Sequence, residues 1–143
     1  MKEIIDLLKS EIEYFKKLKV AIGDLHGHIH SLAVKVAKLH LSRLYPDVSE
    51  WKTSEKYGSG IDVIGKDSDR IIVAAEVKTT ARSEKESLGS QQRKKIKEDI
   101  DKLDSTDAQH KYLYVIDNKN KKAIAGILRN SGVKNIKLVN LFD

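Results

Sequence analysis

Cysteine is absent from this chain, and proline and tryptophan occur once each. Without cysteine the protein has neither a disulfide framework nor a thiolate metal site. No stretch approaches the roughly 20 apolar residues that are needed to cross a bilayer. The N-terminus lacks the uninterrupted apolar stretch of a signal peptide, because acids lie among its apolar residues. We therefore expect a soluble, cytoplasmic protein.

Positive charge is in excess. Lysine and arginine number 27 against 21 aspartates and glutamates, so the formal net charge is +6. Such a balance favours a polyanionic partner such as DNA, because each neutralised phosphate releases counterions. It is also typical of a lysine-rich solvated surface. Charge alone leaves both interpretations open.

The spacing of apolar residues predicts the order of helices and strands. Three- and four-residue spacing predicts helices over residues 2–20 and 28–44, with a break at residues 23–27 and an end before Pro46. Later segments predict strands at 48–53, 61–64, 71–77, 112–116 and 136–139, and helices at 90–103 and 121–130. This order predicts one α/β domain over residues 1–143, in which helices flank a mixed β-sheet. Two N-terminal helices precede its hairpin.

Three charged residues lie in and beside the predicted hairpin strands. Glu76 and Lys78 are two residues apart on one strand, so their side chains share a face, and Asp62 on the neighbouring strand can approach them. Burying such groups is costly unless they are paired or hold a metal. Carboxylates suit Mg²⁺, and the carbonyl of Val77 is a natural further ligand. A salt bridge of purely structural value is the alternative.

Phosphodiester hydrolysis is the chemistry that this set of groups favours. A metal held by Asp62, Glu76 and Val77 polarises the phosphoryl group and orients a water. Lys78 beside it holds the water or neutralises charge that develops on the phosphate. We therefore predict Asp62, Glu76 and Lys78 as the catalytic residues, with Mg²⁺ as cofactor and Mn²⁺ as a substitute.

Two segments, Gly60-Ile61-Asp62-Val63-Ile64 and Ala75-Glu76-Val77-Lys78, resemble the signature of the PD-(D/E)XK nucleases. This restriction-endonuclease-like superfamily includes type II restriction enzymes and archaeal Holliday junction resolvases. The resemblance implies a mixed sheet with a helix before and after the catalytic hairpin. It also implies that Asp62 and Glu76 bind Mg²⁺ and that Lys78 acts on the water.

The function implied by the resemblance is that of a DNA endonuclease of the type II restriction kind. Because one active site cuts one strand, cleavage of a duplex requires a homodimer. Three alternatives stay open. They are a structure-specific nuclease such as a Holliday junction resolvase, a non-catalytic nucleic-acid-binding module with the same fold, and a structural or protein-interaction domain.

The sequence departs from the resembled pattern in two places. Ile61 stands where many members carry proline. Many members also have a glutamate on the preceding helix, whereas this chain has no acid between Asp24 and Asp47. Candidates for the missing position are His30, Glu50 and Glu55.

The helix after the motif strand opens with polar and basic residues. In the resembled family this helix often borders the active site and contacts the DNA backbone. The residues expected to contact DNA are Gln91, Gln92, Arg93, Lys94 and Lys95. A charged face exposed to solvent is the alternative for this segment.

Overall fold

The computed structural model describes residues 2–54, 60–80 and 88–143. Its helices and strands, in chain order, are α1 (Lys2–Leu44), β1 (Glu50–Thr53), β2 (Val63–Asp67), β3 (Arg70–Lys78), α2 (Ser90–Asp104), β4 (His110–Val115), α3 (Asn118–Ser131) and β5 (Ile136–Asn140). The sheet has the strand order β1-β2-β3-β4-β5. Pairing is antiparallel among β1, β2 and β3 and parallel from β3 to β5. The predicted α/β class with a mixed sheet is confirmed. None of the helices in these ranges is long and apolar enough to span a membrane.

Helices cover both faces of the sheet. The two parallel connections place α2 and α3 on one face, and the C-terminal part of α1 packs on the other. Strand β3 contributes to both cores: Ala74 faces α2 and α3, whereas Val73, Ala75 and Val77 belong to the α1 side. This alternation arises because successive strand residues point to opposite faces. The nearly continuous apolar run at 71–77 is therefore a strand buried on both faces, as predicted.

The N-terminal region forms one helix where two were predicted. Helix α1 runs without interruption through Gly23 and Gly27, so the break predicted at residues 23–27 is wrong. Each glycine costs a helix about 1 kcal/mol relative to alanine, which a long helix tolerates. The apolar spacing also continues across the glycines, from Ile22 through Leu25 to Ile29. The predicted end before Pro46 is confirmed, since α1 stops at Leu44.

The hairpin is tighter than the sequence indicated. Strand β2 was predicted at 61–64 with a loop from Lys66 to Arg70, but β2 extends to Asp67 and pairs there with Arg70. The turn is reduced to two residues, and Ser68 adopts a positive φ of 54°. Two-residue hairpin turns need such backbone angles because they match the twist of the strands. At the other end of the strand, β2 begins at Val63, so Asp62 lies one residue before it instead of inside it.

A substitution at Gly65 tests the close packing of β1 on β2. A Cβ at this position would lie 2.9 Å from the Trp51 ring and 3.0 Å from Val48. Gly65→Ala should therefore destabilise the protein by about 1–3 kcal/mol through overpacking, as measured by urea denaturation. Gly126→Ala on α3, where no atom lies within 4 Å of the new Cβ, should instead stabilise by about 0.5–1 kcal/mol. Equal stability of Gly65→Ala and wild type would contradict the close packing of β1 on β2.

Candidate active site

Two buried carboxyl groups lie side by side where β2 begins and β3 nears its end. Val63 pairs with Ala75, which brings the preceding Asp62 opposite Glu76. The backbone N–H of Val77 donates a hydrogen bond of 2.8 Å to Oδ2 of Asp62. Asp62 is 8% exposed and Glu76 is 3% exposed, and each carboxyl group shifts the pKa of the other.

Their shared environment drives the two pKa values apart. Burial and then the charge of Asp62 raise the pKa of Glu76 to about 8, although the adjacent ammonium group of Lys102 opposes the shift. Burial also raises the pKa of Asp62, but hydrogen bonds from His30 and from the Val77 N–H outweigh it and lower that pKa overall. As the pH rises, Asp62 therefore loses its proton before Glu76 does. A nearby cation would favour loss of the Glu76 proton.

Two lysines adjoin the acidic pair. Glu76 and Lys78 share the sheet face that α2 covers, and Nζ of Lys78 forms an ion pair with Oδ2 of Asp99. Nζ of Lys102 lies 2.9 Å from Oε1 of Glu76 and 3.5 Å from Oδ1 of Asp99. Burial lowers the pKa of Lys102, but the contacts with the two acids outweigh that and raise it overall. The charges thus alternate from Lys78 through Asp99 to Lys102, which also contacts the carboxyl group of Glu76.

Asp99 and Lys102 are the site residues that the sequence analysis missed. Both lie on α2, three residues apart and hence on one side of the helix. Asp99 is buried between Ile96 and Leu103, at the spacing of the apolar face. An acid within the apolar face of a helix is costly to bury without a partner. That placement was the signal from which Asp99 could have been found.

Of the three candidates for the missing position, His30 lies in the site. Its Nε2 is 3.5 Å from Oδ1 of Asp62, and the residue is 7% exposed at the point where α1 meets the sheet. Glu50 is exposed on β1, where its Oε1 lies 3.6 Å from Nζ of Lys52, and it is not among the residues that surround Asp62 and Glu76. Glu55 lies outside the described residues.

The five predicted DNA contacts, residues 91–95 in the first turns of α2, have different surroundings. Gln92 and Lys95 line a small cavity of about 50 Å³ next to Lys78. Arg93 lines a different cavity, on the α3 side of the helix, and its Nε donates to the carbonyl of Leu88. The other two, Gln91 and Lys94, are exposed. Two of the five predicted DNA contacts therefore adjoin the site.

The acidic pair opens into a cavity of about 170 Å³. Its charged and ionisable lining comprises His30, Asp62, Glu76, Lys78, Asp99 and Lys102. Oε1 of Glu76 is fully buried and accepts no hydrogen bond of good geometry, even though Lys102 lies near it. A cation in the cavity would compete with the ammonium group of Lys102 for this oxygen.

The donor atoms fit Mg²⁺. Among the described residues, no three histidine, aspartate or glutamate side chains are grouped as a complete metal site. Mg²⁺ needs fewer protein ligands, because it keeps several waters and binds through one or two carboxylates. Asp62 and Glu76 supply these. The carbonyl of Val77 points to the same strand edge as the N–H that binds Asp62.

The arrangement combines carboxyl oxygens with two ammonium groups at one open cavity. Such a combination stabilises negative charge that develops on a substrate. Comparisons with known protein families, curated proteins and solved structures found no match to the chain. The chemistry of the site is therefore inferred from its own residues.

Stability should depend on pH through Glu76. Its pKa of about 8 lies above the ordinary 4.5, so the stability that it contributes is complete below about pH 4.5 and is lost as the pH rises through 8. Without divalent cations, wild type should lose a few kcal/mol, on the order of 3, between pH 5 and 9. Glu76→Gln should lose less and exceed wild type at pH 9, in urea denaturation with a chelator present.

Two comparisons accompany that measurement. Asp107→Asn, at an exposed acid outside the cavity, should keep the pH dependence of wild type. Added Mg²⁺ should raise the stability of wild type at pH 9 more than that of Glu76→Gln. Parallel pH profiles for wild type and Glu76→Gln would contradict the raised pKa of Glu76.

Proposed function

We propose that this chain is a Mg²⁺-dependent DNA endonuclease that hydrolyses phosphodiester bonds at the cavity of Asp62 and Glu76. The observation that carries the proposal is the convergence of both carboxyl groups with Lys78 in one cavity. Paired carboxylates beside a lysine are suited to binding a metal and to stabilising a phosphate in reaction. The net charge of +6 supports a polyanionic substrate.

Each residue of the cavity has a distinct role in this proposal. Asp62, Glu76 and the carbonyl of Val77 hold the Mg²⁺, which when bound supplies charge stabilisation and a more acidic water. Lys78 donates hydrogen bonds from Nζ to a non-bridging phosphate oxygen or to the attacking water, and Asp99 keeps that ammonium in place. Lys102 offsets the charge of Glu76 after it loses its proton. The attacking water loses a proton to solvent and its oxygen bonds to phosphorus, while the bond to the leaving sugar oxygen breaks. That oxygen takes up a proton from solvent, so a phosphomonoester and an alcohol result.

The resemblance of residues 60–64 and 75–78 to PD-(D/E)XK nucleases supports the same function. From this resemblance we infer that the α/β fold is of the restriction-endonuclease-like type. The resemblance also favours a type II restriction-like enzyme, with a Holliday junction resolvase as the alternative within the superfamily. A homodimer with one site in each copy is part of this proposal.

A second candidate is a nucleic-acid-binding module without catalysis. The observation that favours it is the internal pairing of the lysines, since Lys78 is bound to Asp99 and Lys102 to Glu76. A chain of ion pairs of this kind also stabilises the contact between a helix and a sheet. The two candidates differ in whether Mg²⁺ produces cleavage.

Cleavage assays test the proposal directly. Purified protein with Mg²⁺ or Mn²⁺ should cut at least one of three DNA substrates, namely plasmid, linear duplex and four-way junction. Asp62→Asn and Lys78→Ala should each reduce the cleavage rate by about 100-fold or more, because each removes a group that stabilises the transition state. Gel analysis of the products over time gives the rates.

Lys134→Ala provides the matched control, since this exposed lysine lies between α3 and β5, outside the cavity. It should cleave like wild type. If wild type cuts none of the three substrates with either metal, the enzyme proposal fails. If Asp62→Asn and Lys78→Ala cut as fast as wild type, the site is assigned to the wrong residues.

DNA binding should distinguish Lys95 from its neighbour Lys94. Lys95 lines the cavity next to Lys78, whereas Lys94 does not. Lys95→Ala should weaken binding to duplex DNA and reduce the slope of log affinity against log salt by about 1, whereas Lys94→Ala should change it less. Fluorescence anisotropy in a calcium buffer measures both. Identical slopes for the two variants would indicate that DNA does not contact Lys95 beside the cavity.

A further inference from the structure

The N-terminal part of α1 carries a row of exposed apolar side chains. From Lys2 to Ile29 every residue is exposed except the half-buried Gly27, so this projecting segment does not pack on the sheet. We call the following seven residues the α1 stripe: Ile5, Leu8, Ile12, Phe15, Leu18, Ile22 and Leu25. Each of them is between 42% and 62% exposed. An apolar row of this extent marks an interaction surface.

Beside the domain, the apolar row that continues the α1 stripe is separate from the face that packs on the sheet. Where α1 meets the domain, the buried residues are His30, Ala33, Val34, Ala37 and Leu41. The stripe spacing continues there at Ile29, Leu32, Val36 and Leu39, which stay exposed. At about 100° per residue these two sets lie on different sides of the helix. Helix α1 therefore has two apolar faces, and the domain uses one.

The spacing of the stripe is that of a coiled coil with one interruption, at Phe15, where two intervals of three residues follow each other and Lys19 takes the next heptad position. Intervals of three and four residues keep apolar side chains on one seam when helices wind around each other. A lone helix in water has little stability of its own, and most helices in proteins are stabilised by packing an apolar face. Packing of a second apolar face along the stripe would therefore stabilise the projecting segment.

The symmetry of the stripe identifies a partner for this packing. On each side of Phe15 the intervals are three, four and three residues. An antiparallel copy centred on Phe15 would therefore place Ile12 opposite Leu18, Leu8 opposite Ile22, and Ile5 opposite Leu25. Every stripe residue then meets an apolar residue of the second chain.

The charges of the projecting segment support the same pairing. Residues 2–14 contain Glu3, Asp6, Glu11 and Glu13 against Lys2 and Lys9, whereas residues 16–28 contain Lys16, Lys17 and Lys19 against Asp24. One half thus has an excess of acids and the other an excess of lysines. Antiparallel pairing sets unlike halves beside each other, and parallel pairing sets like halves together. Complementary potentials favour the antiparallel arrangement.

We propose that the α1 stripe is a dimer interface at which two copies of this chain pair as an antiparallel coiled coil centred on Phe15. The interface lies outside the cavity and does not involve its residues. Its test is therefore independent of whether the chain cleaves DNA.

Oligomeric state in solution tests the partner. Wild type should have the mass of a dimer in sedimentation equilibrium and light scattering. Ile22→Glu should give a monomer, because it places a charge within the seam. Val20→Glu is the matched control on the other side of the helix: Val20 is also β-branched and is 65% exposed, and this variant should remain a dimer. Both variants should keep the thermal transition of the domain, since neither residue packs on it.

Several outcomes would overturn the proposal. They are a monomeric wild type at micromolar concentration, a trimer or tetramer, and equal loss of the dimer in Val20→Glu and Ile22→Glu. A monomer that co-sediments with anionic vesicles would assign the stripe to a membrane surface. Should Ile22→Glu aggregate, Phe15→Glu at the centre of the seam replaces it and should likewise be monomeric.

Cysteine cross-linking tests the orientation, because the chain has no cysteine of its own. A mixture of Ile5→Cys and Leu25→Cys should form a mixed dimer with a short bismaleimide cross-linker. Ile5→Cys alone should not cross-link, since its two copies would lie about 30 Å apart along an antiparallel pair. Efficient cross-linking of Ile5→Cys to itself would indicate a parallel pair and overturn the arrangement.

Discussion

Two carboxyl groups are buried side by side in this protein, and the surrounding elements each supply a group that makes this possible. Placing charges in the interior costs several kcal/mol for each ion unless partners compensate. Helix α1 brings His30 to Asp62, strand β3 offers the N–H of Val77, and helix α2 brings Lys102 to Glu76. The site is thus the place where α1, the hairpin and α2 meet. Displacement of any of these elements would leave a buried carboxyl group without its partner.

The docking of α1 has a polar component as well as an apolar one. Tyr45 and Tyr112 share a hydrogen bond between their hydroxyl groups at 2.6 Å, and Nδ1 of His40 lies 2.6 Å from the hydroxyl of Tyr114. Because these bonds join α1 and the residue after it to β4, they define where the helix sits on the sheet. His30 lies on the same helix, so its position beside Asp62 depends on these contacts too.

Short-range patterns in the sequence predicted the centre of the site, and long-range contacts determined the rest. Glu76 and Lys78 share a face because strand side chains alternate, and a hairpin brings Asp62 near them. Their spacing in the sequence was therefore enough to predict that the three residues lie close together. Asp99 and Lys102 depend on how α2 lies across the sheet, which no local spacing reveals. The error at Gly23 and Gly27 has another cause. Glycine was interpreted as a helix break, although the apolar spacing continued across both residues.

Helix α1 connects the cavity with the proposed dimer interface, and this sets a distance between two sites. In an antiparallel pair centred on Phe15, the two copies of His30 are offset by about thirty residues, or about 45 Å along the helices. That offset corresponds to about 13 nucleotides of one strand at 3.4 Å each. If both proposals hold, a straight pair of helices separates the two cavities too far along its axis for them to face one pair of opposed phosphates. Each would hydrolyse its own strand position, so a double-strand break would require two separate cuts. The distance between the two cuts would then depend on the length of the projecting segment.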